Sequence, residues 1–195
     1  MFKSMAVAVL SLSSLILAPV VKADWRINNE LSKVSFVSVK KNSIAEVHYF
    51  QQLSGKLTES GVFTVNIDLN SIETMIPIRN ERMTQFLFET AQFPAATLTA
   101  DLAKTVPELT AGQHILNNVK VELDFHGNTK TLTIDVLAHV AQDGELTVSS
   151  LSPILINAAD FAVTDGILKL QELAGLPSIA TAVPVSFALT LNKDK

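Results

Sequence analysis

The sequence predicts an all-β fold: an antiparallel β-barrel with one or two short helices. Three observations predict it. Apolar and polar residues alternate with a period of two over several long stretches. Turn-forming residues separate those stretches. About nine strands, each with one wet face, must bury the other face, which needs either a second sheet or closure of the first. Closure also removes exposed edges. A barrel of roughly eight strands has an interior just large enough for side chains or for one ligand. A packed sandwich is the competing fold, and periodicity alone does not separate the two.

The first segment stands apart from this pattern. Lys3 gives a short positive region, Ala6 to Ala18 is rich in Ala, Val, Leu and Ser, and Val21-Lys22-Ala23 has the form of a cleavage site. Residues 1–23 therefore read as a secretory signal peptide. The run is interrupted by serines and by Pro19 and falls short of the ~20 apolar residues of a membrane span. Removing 23 residues from 195 leaves 172, enough for one domain over 24–195 with a sizeable core. Losing Lys3 and Lys22 moves the formal charge from −4 to −6, so nothing electrostatic draws the domain to nucleic acid or anionic surfaces. There is no cysteine for a disulfide or a lipid anchor. A periplasmic protein without a stable membrane anchor is expected, and a homodimer is left open.

Strands are expected in order near 25–28, 32–40 and 46–57, then over 62–69, where Phe63, Val65, Ile67 and Leu69 share one face. Residues 77–90 read as a helix, with Pro77 in its first turn and Met83, Phe86 and Leu87 at helical spacing. A strand near 96–103 follows. In 119–126, Val119, Val121, Leu123 and Phe125 face one way; in 131–140, Leu132, Ile134, Val136, Ala138 and Val140 do. Gly127-Asn128 and Asp143-Gly144 are hairpin signals. Strands near 145–150 and 153–159 precede a second helix at 165–174, which Asp165 can cap and Gly175 can end. The last strand, 183–190, puts Val183, Val185, Phe187 and Leu189 on one face.

An ordered set of motifs carries a resemblance. Ser71-Ile72-Glu73-Thr74, then Arg79-Asn80-Glu81-Arg82-Met83, Phe88 and Gln92-Phe93-Pro94-Ala95-Ala96-Thr97-Leu98 fall in sequence. Phe125-His126-Gly127-Asn128-Thr129-Lys130 and Ala159-Asp160-Phe161 come later, and Ser32-Lys33-Val34-Ser35-Phe36 earlier. The set resembles the YceI-like family over nearly all of residues 24–195. The resemblance implies an extended lipocalin-like barrel with a helix beside its mouth, export to the periplasm, and an elongated apolar cavity for a polyisoprenoid or isoprenoid quinone. Four positions depart from the family pattern: its Asp is Asn80 here, its helical His is Arg82, its next acidic residue is Leu87, and its strand-end His is Lys40. If those positions orient a headgroup, the departures imply a different one.

The candidate binding surface is the apolar face itself: Phe36, Phe63, Val65, Ile67, Leu98, Leu123, Phe125, Ile134, Val136, Val185 and Phe187. A wall without charge suits a hydrocarbon chain. The same residues would equally serve as ordinary core. Small Ala100 and Ala138 on this face would leave space. Met83, Phe86 and Phe88 are candidates to gate the mouth, or to pack helix on sheet. Arg79 and Arg82, three apart on the helix, would meet a phosphate or quinone oxygen, or pair with Glu81, Glu89 or Glu73. The four histidines show no metal-ligand spacing, and no nucleophile elbow or phosphate loop occurs. The expected function is a carrier or reservoir for a long apolar lipid, needing no cofactor. Two rivals remain: a lipid- or quinone-modifying enzyme in the same barrel, and a stress-related interaction protein with a packed core.

Overall fold

The computed structural model describes residues 24–194; the expected signal peptide lies outside them. Twelve strands form in chain order: β1 Trp25–Ile27, β2 Lys33–Lys40, β3 Ile44–Phe50, β4 Leu53–Leu57, β5 Val62–Asp68, β6 Ile72–Glu73, β7 Ala95–Asp101, β8 Gly112–Phe125, β9 Asn128–Val140, β10 Leu146–Ser150, β11 Ile154–Asn157 and β12 Ala182–Lys193. All their pairings are antiparallel. Neighbouring strands run β1-β4-β5-β7-β8-β9-β10-β12, and β12 pairs back onto β1, so the sheet closes as an eight-stranded barrel, not a sandwich.

Closure depends on β12, which is long enough to serve four partners. Along one edge it pairs with β10 and then β11; along the other with β1 and then β2. The breaks between β1 and β2, between β3 and β4, and between β5 and β6 extend the barrel past its eight-stranded girdle. There β2 pairs with β3 and β3 with β6. The break after β3 splits the expected 46–57 strand: Gln51 turns away and its backbone N–H donates to Ser71 O at 3.0 Å.

Two local features modify the expected strands. β8 begins at Gly112, well before residue 119, because a bulge interrupts the alternation. Leu116 and Val119 pair with Val136 and Ile134, so Asn117 and Asn118 together oppose Asp135. Asn118 takes φ 56°, and its N–H donates to Asp135 Oδ1 at 2.7 Å. The β8–β9 hairpin turns at His126-Gly127, one residue earlier than Gly127-Asn128. Both residues have positive φ, 52° and 71°, as a primed two-residue turn requires.

Two helical segments cover one end. Residues 77–90 are not one helix. α1 (Pro77–Arg82) gives way to a π-helical turn, Met83–Leu87, in which Phe88 N–H reaches back to Met83 O at 2.9 Å. α2 is Thr164–Leu173; its N-cap is Val163, with no side-chain cap bond, so Asp165 lies in the first turn and is not the cap. Gly175 (φ 60°) ends it as expected. α2 packs on the π turn at Gly166, where a Cβ would stand 2.5 Å from Phe86 O and 2.8 Å from Leu87 Cα. Only a glycine lets the two backbones approach this closely.

Candidate binding cavity

The inward faces of the strands do not meet in solid contact. They enclose a cavity of about 220 Å³, and every residue lining it is apolar. Period-two alternation produces this wall: on β5 the inward residues are Phe63, Val65 and Ile67, and on β9 Leu132, Ile134, Val136 and Ala138. β7 pairs with β8 only at Thr97–Thr99 against Glu122–Asp124. Leu102 and Leu109, from the loop between them, complete the wall there.

All eleven strand residues singled out from the sequence lie on this wall: Phe36, Phe63, Val65, Ile67, Leu98, Leu123, Phe125, Ile134, Val136, Val185 and Phe187. Ala100 and Ala138 do too. Of the helical candidates only Phe88 reaches the wall, held between Phe50 and Phe125 at ring distances of 5.8 and 6.0 Å. Met83 is buried in the surrounding core and Phe86 is half-buried over α2; neither lines the cavity. Leu87 lines it instead, since the π turn shifts which side chains face inward. Leu87, Val163 and Ile167 form the floor of the helical cover.

Neither arginine lines the cavity. Arg79 pairs with Glu46 on β3 at 2.8 Å, not with Glu73, Glu81 or Glu89, and its Nη2 donates to Thr74 O at 2.6 Å. Sequence distance hid this partner, since strand and helix meet only in the folded chain. Arg82 Nη1 donates to Leu173 O at 3.2 Å, tying α1 to the end of α2. Asn80, at the family's Asp position, accepts the Thr74 N–H at 2.9 Å and donates to Glu73 at 3.3 Å. Of the histidines, His126 meets Glu89 at 2.8 Å and His114 meets Thr110 O at 2.7 Å.

Beyond Phe36 and Phe50 the inward face turns polar. Ser38 and Lys40 continue β2, while Glu46 and His48 occupy β3. Lys40 reaches Glu46 at 2.7 Å, on the same oxygen that Arg79 holds. The Lys40 hydrogen bond, with help from Arg79, holds the Glu46 carboxyl below its usual range against some burial. His48 is 2% exposed, bonded through Nε2 to Ser38 Oγ at 2.8 Å, and edge-on to Phe36 at 5.3 Å. Burial first, and the Arg79 charge second, push its imidazole below the ordinary 6.5.

A pH dependence of stability follows. Below pH 6.5 the unfolded chain protonates this histidine before the folded protein does, so stability falls as pH drops from 6.5 towards the folded value. Glu46 adds a second loss below 4.5, as pH falls through its lowered folded value. His48→Gln is expected to flatten the slope of Tm between pH 7 and 5 and to leave the decline below 4.5. Thermal denaturation across that range checks both.

A closed antiparallel barrel around one apolar cavity, with helices over one end, defines a lipocalin-like protein. Comparison with known families is more specific: residues 25–191 match the YceI-like domain, and the chain belongs to that family. A polyisoprenoid binding domain from Saccharophagus degradans, implicated in plant cell wall breakdown, is 37% identical, with a TM-score of 0.82 over 87% of this chain and 98% of its own. BcnA from Burkholderia cenocepacia shares the fold at 21% identity and TM-score 0.61, over 84% of this chain and 98% of that one. A YCEI protein from Campylobacter jejuni does so at 14% and 0.52, over 76% and 84%. No curated protein matches the chain.

Proposed function

We propose that this protein is a periplasmic carrier or reservoir that holds a long-chain isoprenoid lipid, a polyisoprenoid or an isoprenoid quinone, with its hydrocarbon tail inside the barrel. The observation that carries the reading is the cavity wall, which bears no polar side chain over its whole extent. Burial contributes about 0.8 kcal/mol per CH₂, so each five-carbon unit gives about 4 kcal/mol gross. A few units therefore offset the roughly 4–15 kcal/mol cost of association without any polar contact. The 37%-identical relative, described as polyisoprenoid-binding, supports the same ligand class. The signal-peptide pattern of residues 1–23 supports export. A binding role is favoured over catalysis because no titratable group stands on the wall to act as acid or base.

The test is direct. The protein is purified from a lipid-containing host, extracted with organic solvent, and the extract examined by mass spectrometry. A prenyl lipid at near-stoichiometric amount is expected. Well-folded protein that carries none, and takes up no polyprenyl compound when offered it, would overturn the reading.

A further inference from the structure

The barrel wall has a seam that no backbone ladder closes. β10 pairs with β9 from Val140 to Val136, and Leu151 N–H, donating to Asp135 O at 3.0 Å, extends the pairing by one bond. Beyond that point β11 pairs with β12 alone among the described strands. The edge of β9 over 128–134 and the free edge of β11 are left unjoined. At the far end Ala158–Phe161 turns back towards the β8–β9 hairpin, with the Phe161 ring 5.5 Å from that of Phe125. At about 3.3 Å per residue, the four residues of β11 make the seam roughly 13 Å long. Its flanks are Leu132 and Ile134 from β9, and Ile154 and Ile156 from β11, all four on the cavity wall. The gap between β7 and β8 is different, because the loop bearing Leu102 and Leu109 fills it and is held by Leu102 N–H on Gly61 O at 2.7 Å. On the outer rim of the seam Thr131, Thr133, Leu151 and Leu155 are exposed, Leu155 by 66%. Sheet edges are normally guarded by charges, bulges or covering segments. Apart from Pro153, residues 151–159 offer no such guard, and none of their side chains is charged.

We propose that this seam is the portal by which the isoprenoid tail enters and leaves the cavity, sideways through the wall and not through the helical end. The inference rests on the lipid-carrier reading. The two routes differ in what must break. The helical end is stitched by Lys41 N–H to Ser178 O at 3.0 Å, Ala180 N–H to Val39 O at 2.8 Å and Arg82 Nη1 to Leu173 O at 3.2 Å. Lifting it would break these directional bonds and separate the backbones that meet at Gly166. Opening the seam breaks no strand pairing and needs only new rotamers of leucine and isoleucine side chains. The path also matches the traveller. Leu151 and Leu155 stand outside it, Ile154 and Ile156 inside, so a hydrocarbon chain passes with no charged group to strip of water.

The chain has no cysteine, so introduced pairs can be linked specifically. Thr133→Cys with Leu155→Cys, joined by a short bis-maleimide, bars the seam from outside. Asn42→Cys with Ser178→Cys, joined by the same reagent, bars the helical end, where the native side chains meet at 2.7 Å. Uptake of geranylgeraniol is followed by native mass spectrometry at timed intervals. Each linked form is compared with the same variant carrying two single maleimides. The bar across the seam is expected to slow uptake at least about tenfold, and the bar at the helical end to leave it within about twofold. Uptake through a barred seam at the rate of its unlinked control overturns the portal, and so does equal slowing by both bars. If neither the wild type nor any variant takes up the alcohol, and none carries a prenyl lipid, the carrier reading falls as well. Where the seam bar does not form, Ile154→Ala decides. A widened portal speeds uptake and release alike, by about tenfold each, and leaves Kd within about threefold. Unchanged rates, or a Kd that moves more than the rates do, overturn the portal.

Discussion

Ala138→Phe is expected to abolish prenyl-lipid uptake while leaving a folded barrel of near wild-type stability. Ala138 is 2% exposed and sits on the cavity wall, paired with Val148 and His114 across β10 and β8. A cavity of about 150 Å³ accepts benzene, so one phenyl ring takes up much of the 220 Å³ here. Filling about 100 Å³ of void gains up to about 2 kcal/mol by the cavity relation. Side-chain strain costs about 1–3 kcal/mol in return, so the two nearly cancel in stability. They do not cancel in binding, because the ring occupies the space of the tail. Thermal denaturation and lipid extraction on the same sample check the pair of outcomes. Unchanged lipid content in a folded variant would place the ligand elsewhere.

Phe63→Asp is expected to act on both quantities at once. Phe63 lies on the wall and packs against both core clusters of the barrel. Removing the ring costs about 3–5 kcal/mol on the scale of Phe→Ala substitutions. The carboxylate adds a desolvation penalty that its neighbours cannot relieve, since Val65, Leu98 and Ala100 offer no donor. Lipid uptake should vanish and Tm should drop by well over ten degrees, given about 2–4 °C per kcal/mol in a domain of this size. Phe63→Leu keeps an apolar wall and should retain most lipid. Circular dichroism and lipid extraction of both variants check this, and equal lipid loss in both would show that shape, not polarity, governs uptake.

The wall was legible in the sequence because alternation writes it directly. Phe63-Val65-Ile67 and Ile134-Val136-Ala138 need no tertiary information to be assigned one face. Where alternation breaks, the reading stopped short. The Asn117–Asn118 bulge shifts the phase, so Leu116, on the far side of it, was not recognised as wall. Helical spacing put Leu87 beside Met83 and Phe86 without separating them; the π turn changes the angular step, so that Leu87 alone of the three faces the cavity. The polar end was least legible. Glu46 and His48 lie on β3, far in sequence from Arg79, and only the packing of α1 against the β2–β3 hairpin brings their charges together. No local pattern records such a meeting, because each of these residues alone reads as an ordinary strand or helix position.

The last strand has a bearing on how the chain reaches its folded state. β12 bonds to β1, β2, β10 and β11, so segments from both halves of the chain wait on its twelve residues. A ribosome delivers Ala182–Lys193 after all four of these partners. Until then β1 and β10 lack a common partner, and contacts spanning nearly the whole chain are the slowest to form. Hairpins such as β8–β9 can form early, but the ring itself closes only when β12 joins strands from both sides of the gap, which makes closure a late step of folding.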